Sequence, residues 1–235
     1  IDDITIMELY GQHSKSIPQK LTIHVLEILL LCLSFWILFQ DGGTWIENTL
    51  HIHNSTVSNE RRIIIFIFSV IIFLRFAFMM TLLLKRAIPW EESFSVPFAF
   101  ALYFVGFSLF ILSTSKPIDF IDIFGIFLFV VGCILNTGGE VLRNQWKKNP
   151  DNKGKIYKTG FFRYSRHINY FGDLLWVTAY AIITRNWYAV SIPIFFFFLF
   201  AFYNAPKLDK YLKGKYGKDY NDYANKTKML VPFIY

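Results

Sequence analysis

Between residues 159 and 173 the sequence concentrates side chains that can hold a charged ligand. Arg163, Arg166 and His167 stand among tyrosines and beside Asn169 and Asp173. Cations bind phosphates, aromatic rings pack against a planar ring, and an Asn with an Asp can pair with a carboxamide, which both donates and accepts hydrogen bonds. The stretch therefore predicts a site for a phosphorylated or otherwise anionic cofactor at the face of a membrane.

Two other polar pieces are expected on the same face. One is the end of the fourth predicted helix, with Asn136, Glu140 and Arg143, and the other is the C-terminal tail. The tail contributes Lys207, Asp209 and Tyr211. The lysines at 153, 155 and 158 have a simpler interpretation, because exposed cations next to a membrane often face anionic lipid heads.

The rest of the sequence is strongly apolar. Of the 235 residues 54% are hydrophobic and 17% are charged, and several apolar runs reach the roughly 18 residues that a bilayer-crossing helix needs. A helix satisfies its own backbone hydrogen bonds in lipid, whereas a barrel needs an alternation of polar and apolar residues that these runs lack. The sequence predicts an all-α, polytopic membrane protein.

The net charge of +7 is distributed as in a membrane protein, so nucleic-acid binding is not expected. Cys32 and Cys133 have no metal-site or disulfide spacing.

About six membrane-spanning helices are expected, of which the fifth is short. They are placed near 21–40, 63–84, 96–114, 120–138, 171–185 and 188–204. The segments expected on one side of the membrane are 1–20, 85–95, 139–170 and 205–235. They hold 19 Lys and Arg residues, against 4 in the segments of the other side. The positive-inside rule therefore predicts that both termini and the basic site are cytoplasmic, in a bacterial inner membrane or the endoplasmic reticulum.

Ionisable side chains inside the predicted spans are a second set of candidates. His24 and Glu27 lie three residues apart in the first span and so share a helix face. Arg75 lies within the second span. A charge in the membrane is costly unless it is paired or hydrated, so each is a candidate functional residue, although a Glu27–Arg75 ion pair with a purely structural role is an open alternative.

Three stretches of the second half resemble a known membrane family. Residues 149–154 read Asn-Pro-Asp-Asn-Lys-Gly, residues 159–173 read Thr-Gly-Phe-Phe-Arg-Tyr-Ser-Arg-His-Ile-Asn-Tyr-Phe-Gly-Asp, and the tail contains Lys-Tyr-Gly-x-x-Tyr-x-x-Tyr. Together they resemble the family with a steroid 5-alpha-reductase C-terminal-like domain, which is similar to sterol reductases and, more distantly, to isoprenylcysteine carboxyl methyltransferases. The resemblance covers about residues 120–235. It departs from the common form at Ile168, where a proline usually follows Arg-His.

The resemblance implies an NADPH-dependent reductase of a carbon–carbon double bond in a lipid-soluble substrate, steroid-like, acyl or prenyl. The cofactor residues it implies are Asn136, Glu140, Arg143, Tyr164, Arg166, His167, Asn169, Tyr170, Asp173, Lys207, Asp209 and Tyr211. The candidates for the acid that protonates the substrate are Glu27, Glu91, Glu92 and Tyr103. Residues 1–118 would form the substrate side and residues 119–235 the cofactor-binding region.

Two alternatives stay open. The first is a membrane methyltransferase that uses S-adenosylmethionine, although the tail around Leu208 and Asp209 lacks the Glu-Glu pair usual in that branch. S-adenosylmethionine also carries no phosphate, so it suits a basic site less well. The second alternative is a lipid-binding membrane protein without enzymatic activity.

Overall fold

The computed structural model describes residues 14–49, 51 and 58–235, and the described chain is predominantly helical. The helices of the first half are α1 (Ile17–Phe39), α2 (Gly42–Thr49), α3 (Asn59–Phe78), α4 (Trp90–Ala101) and α5 (Phe107–Ile111). Those of the second half are α6 (Phe120–Cys133), α7 (Gly139–Lys147), α8 (Ile168–Thr184), α9 (Ser191–Leu199), α10 (Ala205–Tyr216) and α11 (Lys218–Ala224). The predicted all-α architecture is confirmed.

Wide helical turns join several of these helices into longer rods. The turns are Met79–Leu83 after α3, Leu102–Gly106 between α4 and α5, Ile134–Gly138 between α6 and α7, and Phe200–Asn204 between α9 and α10. Such turns add a residue without ending the helix, and they are frequent at functional sites. Two of them therefore carry a membrane helix directly into polar sequence.

Among the described residues, five continuous helical stretches are long and apolar enough to cross a membrane. They are Ile17–Phe39, Asn59–Leu83, Trp90–Ile111, Phe120–Lys147 and Trp187–Tyr216. The remaining predicted span, α8, has 17 residues and a length of about 26 Å, less than the hydrocarbon thickness of roughly 30 Å. The protein is thus an integral, multi-pass membrane protein whose fifth predicted helix is short, as expected.

The fourth and last spans run further than the sequence predicted. The fourth continues to Lys147 instead of ending near residue 138, and the last continues to Tyr216 instead of residue 204. Glu140, Arg143 and their neighbours are good helix formers, so the helix continues beyond its apolar part. Much of the predicted loop and tail is therefore rigid helix.

The chain divides into two compact units. The first unit comprises the described residues up to Phe127 together with Val177–Ile192, and the second comprises Leu128–Trp176 and Pro193–Tyr235. The predicted division of labour at residues 118 and 119, substrate side against cofactor side, is a functional statement and stays a prediction.

The first unit contains a fully buried ion pair. Arg61 of α3 places two guanidinium nitrogens 2.7 Å from the two carboxylate oxygens of Asp122 in α6, and both side chains are 0% exposed. The carbonyls that accept its other hydrogen bonds belong to Lys116, Pro117 and Ile183. Because every guanidinium N–H group is used, this arginine ties three segments of the unit together.

The second unit depends on a close approach of two helix backbones. A Cβ atom on Gly132 would lie 2.6 Å from the carbonyl oxygen of Gly172, and one on Gly172 would lie 2.7 Å from the backbone nitrogen of Asn136. Only glycine permits this spacing, as is common where membrane helices pack tightly. The approach brings the polar end of the fourth span next to the start of α8.

Candidate functional site

The basic stretch of the sequence folds as a short connection before α8. A 3₁₀ turn, Gly160–Arg163, is followed by four residues before the helix begins at Ile168. Gly160 has a φ of +58°, and a Cβ atom there would lie 2.6 Å from the Tyr157 hydroxyl oxygen. The glycine is therefore required for this turn, which directs the following polar residues toward the tail.

Backbone hydrogen bonds attach this connection to the C-terminal segment, residues 225–235. The amides of Arg166 and His167 donate to the carbonyls of Lys228 and Met229 at 2.9 and 3.0 Å. The Ser165 hydroxyl donates to the carbonyls of Met229 and Leu230 at 3.0 and 2.8 Å. The C-terminal segment is thus a fixed part of the site and not a free tail.

The guanidinium of Arg166 is largely occupied by the tail. It donates to the carbonyls of Ala224 and Thr227, at the end of α11, and to the carboxylate of Asp209 in α10 at 2.8 Å. Burial alone would lower the pKa of Arg166, but the hydrogen bond and the charge of Asp209 outweigh burial and raise it. Arg166 is therefore a permanent cation that holds α10 and α11 together. Its direct contact with a phosphate stays a prediction.

His167 lies in the same cluster and is 1% exposed. Its Nε2 atom lies 2.7 Å from the second carboxylate oxygen of Asp209. Its ring stacks on Tyr170, with centroids 5.5 Å apart and planes 15° apart, and Tyr170 stacks in turn on Phe200 at 5.0 Å and 11°. A hydrogen bond and a three-ring stack thus fix the imidazole in position and in plane.

A cavity of about 50 Å³ opens beside this cluster. Its lining consists of cations, aromatic rings, aliphatic side chains and two other polar residues: Arg143, Lys147, Ile156, Tyr157, Phe162, Arg166, His167, Asn169, Leu208, Leu212, Tyr216 and Tyr223. Within the part of the chain that the structure describes, three arginine or lysine side chains and no carboxylate line it. Among its walls, Tyr223 donates its hydroxyl to the carbonyl of Phe162. Burial raises the pKa of Tyr223, so the phenol remains a donor at neutral pH.

The structure brings Arg143, Arg166, His167 and Asn169 of the predicted cofactor residues together around this cavity. Glu140 forms an ion pair with Arg143 in α7, and the Arg143 guanidinium lies 5.8 Å from the centre of the Phe162 ring. Asp209 and Tyr170 support the cavity through His167. This part of the prediction thus describes a real cluster, whose use by a cofactor stays a prediction.

Asn136 and Asp173 form a bridge between helices. The Asn136 side chain donates to the Asn169 carbonyl at 3.1 Å and to the Asp173 carboxylate at 2.8 Å. The same carboxylate oxygen accepts from the Trp176 indole at 2.8 Å. Asp173 lies in the second turn of α8, so it does not cap the start of that helix.

Three other predicted cofactor residues lie outside the cavity lining. Tyr164 is 37% exposed and contacts the ring of Phe233 at 5.8 Å. The Lys207 ammonium lies 5.4 Å from the centre of the Tyr203 ring. The Tyr211 hydroxyl accepts from Lys215 at 3.2 Å. A cofactor larger than the cavity would be needed to contact them.

The four candidates for a proton donor all lie in the first unit. Glu27 is 0% exposed and lies 3.4 Å from the Nδ1 atom of His24, which confirms their shared helix face, while the Glu27–Arg75 pair stays a prediction. Glu91 is exposed, and Glu92 pairs with Arg86 at 2.6 Å. Tyr103 is buried beside Phe100. Of the three candidates that carry a carboxyl group, Glu27 is thus the one that is buried.

Sequence reasoning did not include eight of the twelve cavity-lining residues among the site residues. The missed residues are Lys147, Ile156, Tyr157, Phe162, Leu208, Leu212, Tyr216 and Tyr223. Part of the signal was present: Leu208, Leu212 and Tyr216 are four residues apart, which places them on one face of a helix. Arg143 and Lys147 have the same spacing. Both patterns were missed because the predicted spans ended near residues 138 and 204, so that residues 139–147 and 205–216 were taken as loop and tail.

Comparison with known proteins agrees with the resemblance seen in the sequence. The family model described as "Protein of unknown function (DUF1295)" matches residues 74–227. The chain belongs to this steroid 5-alpha-reductase-like family. The predicted family relationship is therefore confirmed.

Individual relatives include two kinds of enzyme by name. "Probable O-methyltransferase ustE" of Ustilaginoidea virens is 38% identical over 88 residues, 37% of this chain and 31% of that protein. "3-oxo-5-alpha-steroid 4-dehydrogenase 2" of Rattus norvegicus is 30% identical over 112 residues, 48% of this chain and 42% of that protein. "Protein-S-isoprenylcysteine O-methyltransferase" of Saccharomyces cerevisiae is 27% identical over 131 residues, 53% and 54% of the two chains. The chain matches between about a third and a half of the length of these relatives.

Proposed function

We propose that this protein is a membrane-embedded reductase that uses NADPH to reduce a carbon–carbon double bond in a lipid-soluble substrate. The observation that carries the proposal is the charge of the cavity wall in the second unit. Arg143, Lys147 and Arg166 line it together with His167, and no carboxylate of the described residues does. Such a wall favours a polyanionic ligand.

The chemistry of these residues fits NADPH better than S-adenosylmethionine. NADPH carries several phosphate groups, whereas S-adenosylmethionine carries a sulfonium cation, which three cationic side chains would repel. The two nearest carboxylates are already paired, Glu140 with Arg143 and Asp209 with Arg166. Neither is left to attract the sulfonium.

Each group in the wall has a distinct task in this proposal. Arg143 and Lys147 bind phosphate, the rings of Tyr157 and Tyr216 provide flat apolar walls, and Asn169 can pair with an amide. When bound, NADPH supplies the hydride. The protein has to orient it, exclude water and deliver a proton to the substrate.

Glu27 is the favoured proton donor among the four candidates. It is fully buried, and its Oε1 atom has no hydrogen-bond partner among the described residues. Burial stabilises the protonated form of a carboxyl, which can then donate. A substrate side in residues 1–118 and a cofactor side in residues 119–235 remain part of the proposal.

A methyltransferase is the second candidate, and a specific observation favours it. Two of the three relatives named above are O-methyltransferases by name, and one of them has the highest identity of the three. Similarity to a steroid dehydrogenase supports the reductase and a steroid-like substrate. The choice therefore depends on which cofactor binds.

Thermal unfolding of the detergent-solubilised protein tests the proposal. A ligand that binds only the folded protein at about 100 times its Kd stabilises it by roughly 2.7 kcal/mol, so NADPH is expected to raise Tm by several degrees and S-adenosylmethionine to leave it unchanged. Lys147→Ala should weaken the NADPH effect, whereas the exposed Lys153→Ala should not. A shift with S-adenosylmethionine alone would establish the methyltransferase, and no shift with either would favour a lipid-binding protein.

The cytoplasmic orientation of the site belongs to the same proposal. The excess of Lys and Arg in the segments around the site supports it, because such segments stay in the cytoplasm. A tag at either end should react with a membrane-impermeant reagent only when the reagent can reach the cytoplasmic face of the membrane. A C-terminal tag that is accessible from outside would overturn the orientation.

A further inference from the structure

Asp209 occupies a position that a cofactor contact alone does not explain. Sequence reasoning placed it among the cofactor residues, yet it does not line the cavity, and its two carboxylate oxygens bond to Arg166 and His167. His167, in contrast, does line the cavity. Asp209 therefore acts on a ligand indirectly, through His167 or through Arg166, which also lines the cavity.

The charge of Asp209 decides which ring nitrogen of His167 carries hydrogen. Arg166 lies 2.8 Å away and keeps the carboxylate ionised, and an ionised carboxylate can only accept hydrogen bonds. The Nε2 atom, 2.7 Å from Asp209, must then be the N–H donor.

The remaining nitrogen, Nδ1, is left as an acceptor. Asp209 is the one hydrogen-bond partner of the imidazole within the described part of the chain. Stacking on Tyr170 and Phe200 prevents the ring from turning to satisfy Nδ1 elsewhere. An imidazole that donates through Nε2 and is held in plane, set in a wall of arginine and lysine side chains, presents Nδ1 as an acceptor where its neighbours donate.

We propose that Asp209 is a positioning residue that holds His167 in the Nε2–H tautomer, so that Nδ1 accepts a hydrogen bond from an N–H or O–H group of the bound cofactor. The identity of that cofactor as NADPH rests on the proposed function. Its carboxamide and its ribose hydroxyls are groups of the required kind. Arg166, anchored on Ala224 and Thr227, keeps Asp209 in place and couples the C-terminal segment to this contact.

Nitrogen NMR of the protein labelled with ¹⁵N-histidine tests the proposal directly. His167→Gln identifies the signals of His167 by their loss. At neutral pH the parent is expected to show a protonated Nε2 and an unprotonated Nδ1, and addition of NADPH should shift the Nδ1 signal. A parent ring that carries hydrogen on Nδ1, or that is doubly protonated, would overturn the proposal without any variant.

The matched variants are Asp209→Asn and Asp222→Asn, the same chemical change at the site and at an exposed position of α11. Asp209→Asn is expected to convert His167 to a mixture of tautomers and to weaken NADPH binding about three- to tenfold, which is the value of one hydrogen bond. Asp222→Asn should change neither. An unchanged tautomer in Asp209→Asn would show that Asp209 is merely structural.

The outcomes separate this inference from the proposed function. If the parent shows the Nε2–H tautomer but NADPH does not alter Tm, the cofactor is wrong and the positioning of His167 by Asp209 still holds. If NADPH raises Tm while the Nδ1 signal stays unchanged, the reductase proposal survives and the contact through His167 is refuted.

Discussion

Two Arg–Asp pairs of the described chain, Arg61–Asp122 and Arg166–Asp209, use their hydrogen-bonding groups to different extents. In the first unit Arg61 and Asp122 are 0% exposed, and all five guanidinium N–H groups have an acceptor. In the second unit Arg166 and Asp209 are 13% and 17% exposed, and the Nε atom of Arg166 has no partner among the described residues. The first arginine thus uses all its N–H groups, whereas the second has an unused N–H group and lies beside a cavity.

The difference separates a structural joint from a candidate binding site. Arg61 cannot accept a ligand without breaking a bond that already compensates its burial. The second pair is coupled to His167, which lines the cavity and whose imidazole bonds to Asp209 alone among the described residues. Charge burial alone therefore does not distinguish the two arginines, whereas the unused Nε–H group of Arg166 does.

Arg61→Ala should have the largest effect on stability. Removing Arg61 takes away the main partner of the buried Asp122 carboxylate and leaves Arg185 near it. The free energy of unfolding should therefore fall by about 3–5 kcal/mol. Chemical denaturation in detergent measures this change. The double variant Arg61→Met with Asp122→Leu should recover part of the loss, because it removes both charges. A loss below about 1 kcal/mol in Arg61→Ala would remove the contrast between the two pairs.

Arg166→Ala should cost less and act locally. It removes the hydrogen bonds to Ala224, Thr227 and Asp209, and bonds to a charged group are worth about 1.5–3 kcal/mol. Hydrogen exchange should accelerate in residues 225–230 and much less in the first unit. Arg163→Ala, three residues earlier and exposed, is the control. Equal protection in both variants would show that the C-terminal segment does not depend on Arg166.

Gly172→Ala tests the helix contact that supports the site. The added methyl would lie 2.7 Å from the Asn136 backbone nitrogen, so the helices must separate at a cost of about 1–3 kcal/mol. Gly138→Ala is the matched control, because its nearest neighbour is 3.5 Å away and alanine favours a helix. Tm should fall in the first variant and stay constant or rise in the second. The opposite order would contradict the packing described here.

Sequence patterns predicted the membrane helices well because length and apolar content alone determine whether a helix can span. The members of the cluster of Arg166, His167 and Asp209 were also predicted as site residues, from the sequence stretches that resemble the family. Arg61 was missed as a buried residue, because charge at a span end normally indicates solvent. The roles of Asp209 and Asp173 could not be read either. They depend on which side chains come within 3 Å, and that is set by helix packing through Gly132 and Gly172 and not by local sequence.

Asp173→Asn should have the smallest effect and decides between the two interpretations of that residue. One carboxylate oxygen of Asp173 accepts from Asn136 and from Trp176, both at 2.8 Å, and an amide oxygen can accept both bonds equally well. Because Asp173 does not line the cavity, we expect a stability loss below about 1 kcal/mol and NADPH binding within roughly twofold of the parent. Asp173→Ala leaves two donors unpaired and should cost about 1–3 kcal/mol, which shows that the bridge is real. Denaturation midpoints and cofactor titrations on both variants provide the measurement. If Asp173→Asn keeps its stability but turnover falls at least tenfold, worth about 1.4 kcal/mol in the barrier, then Asp173 recognises the cofactor as the sequence motif implied.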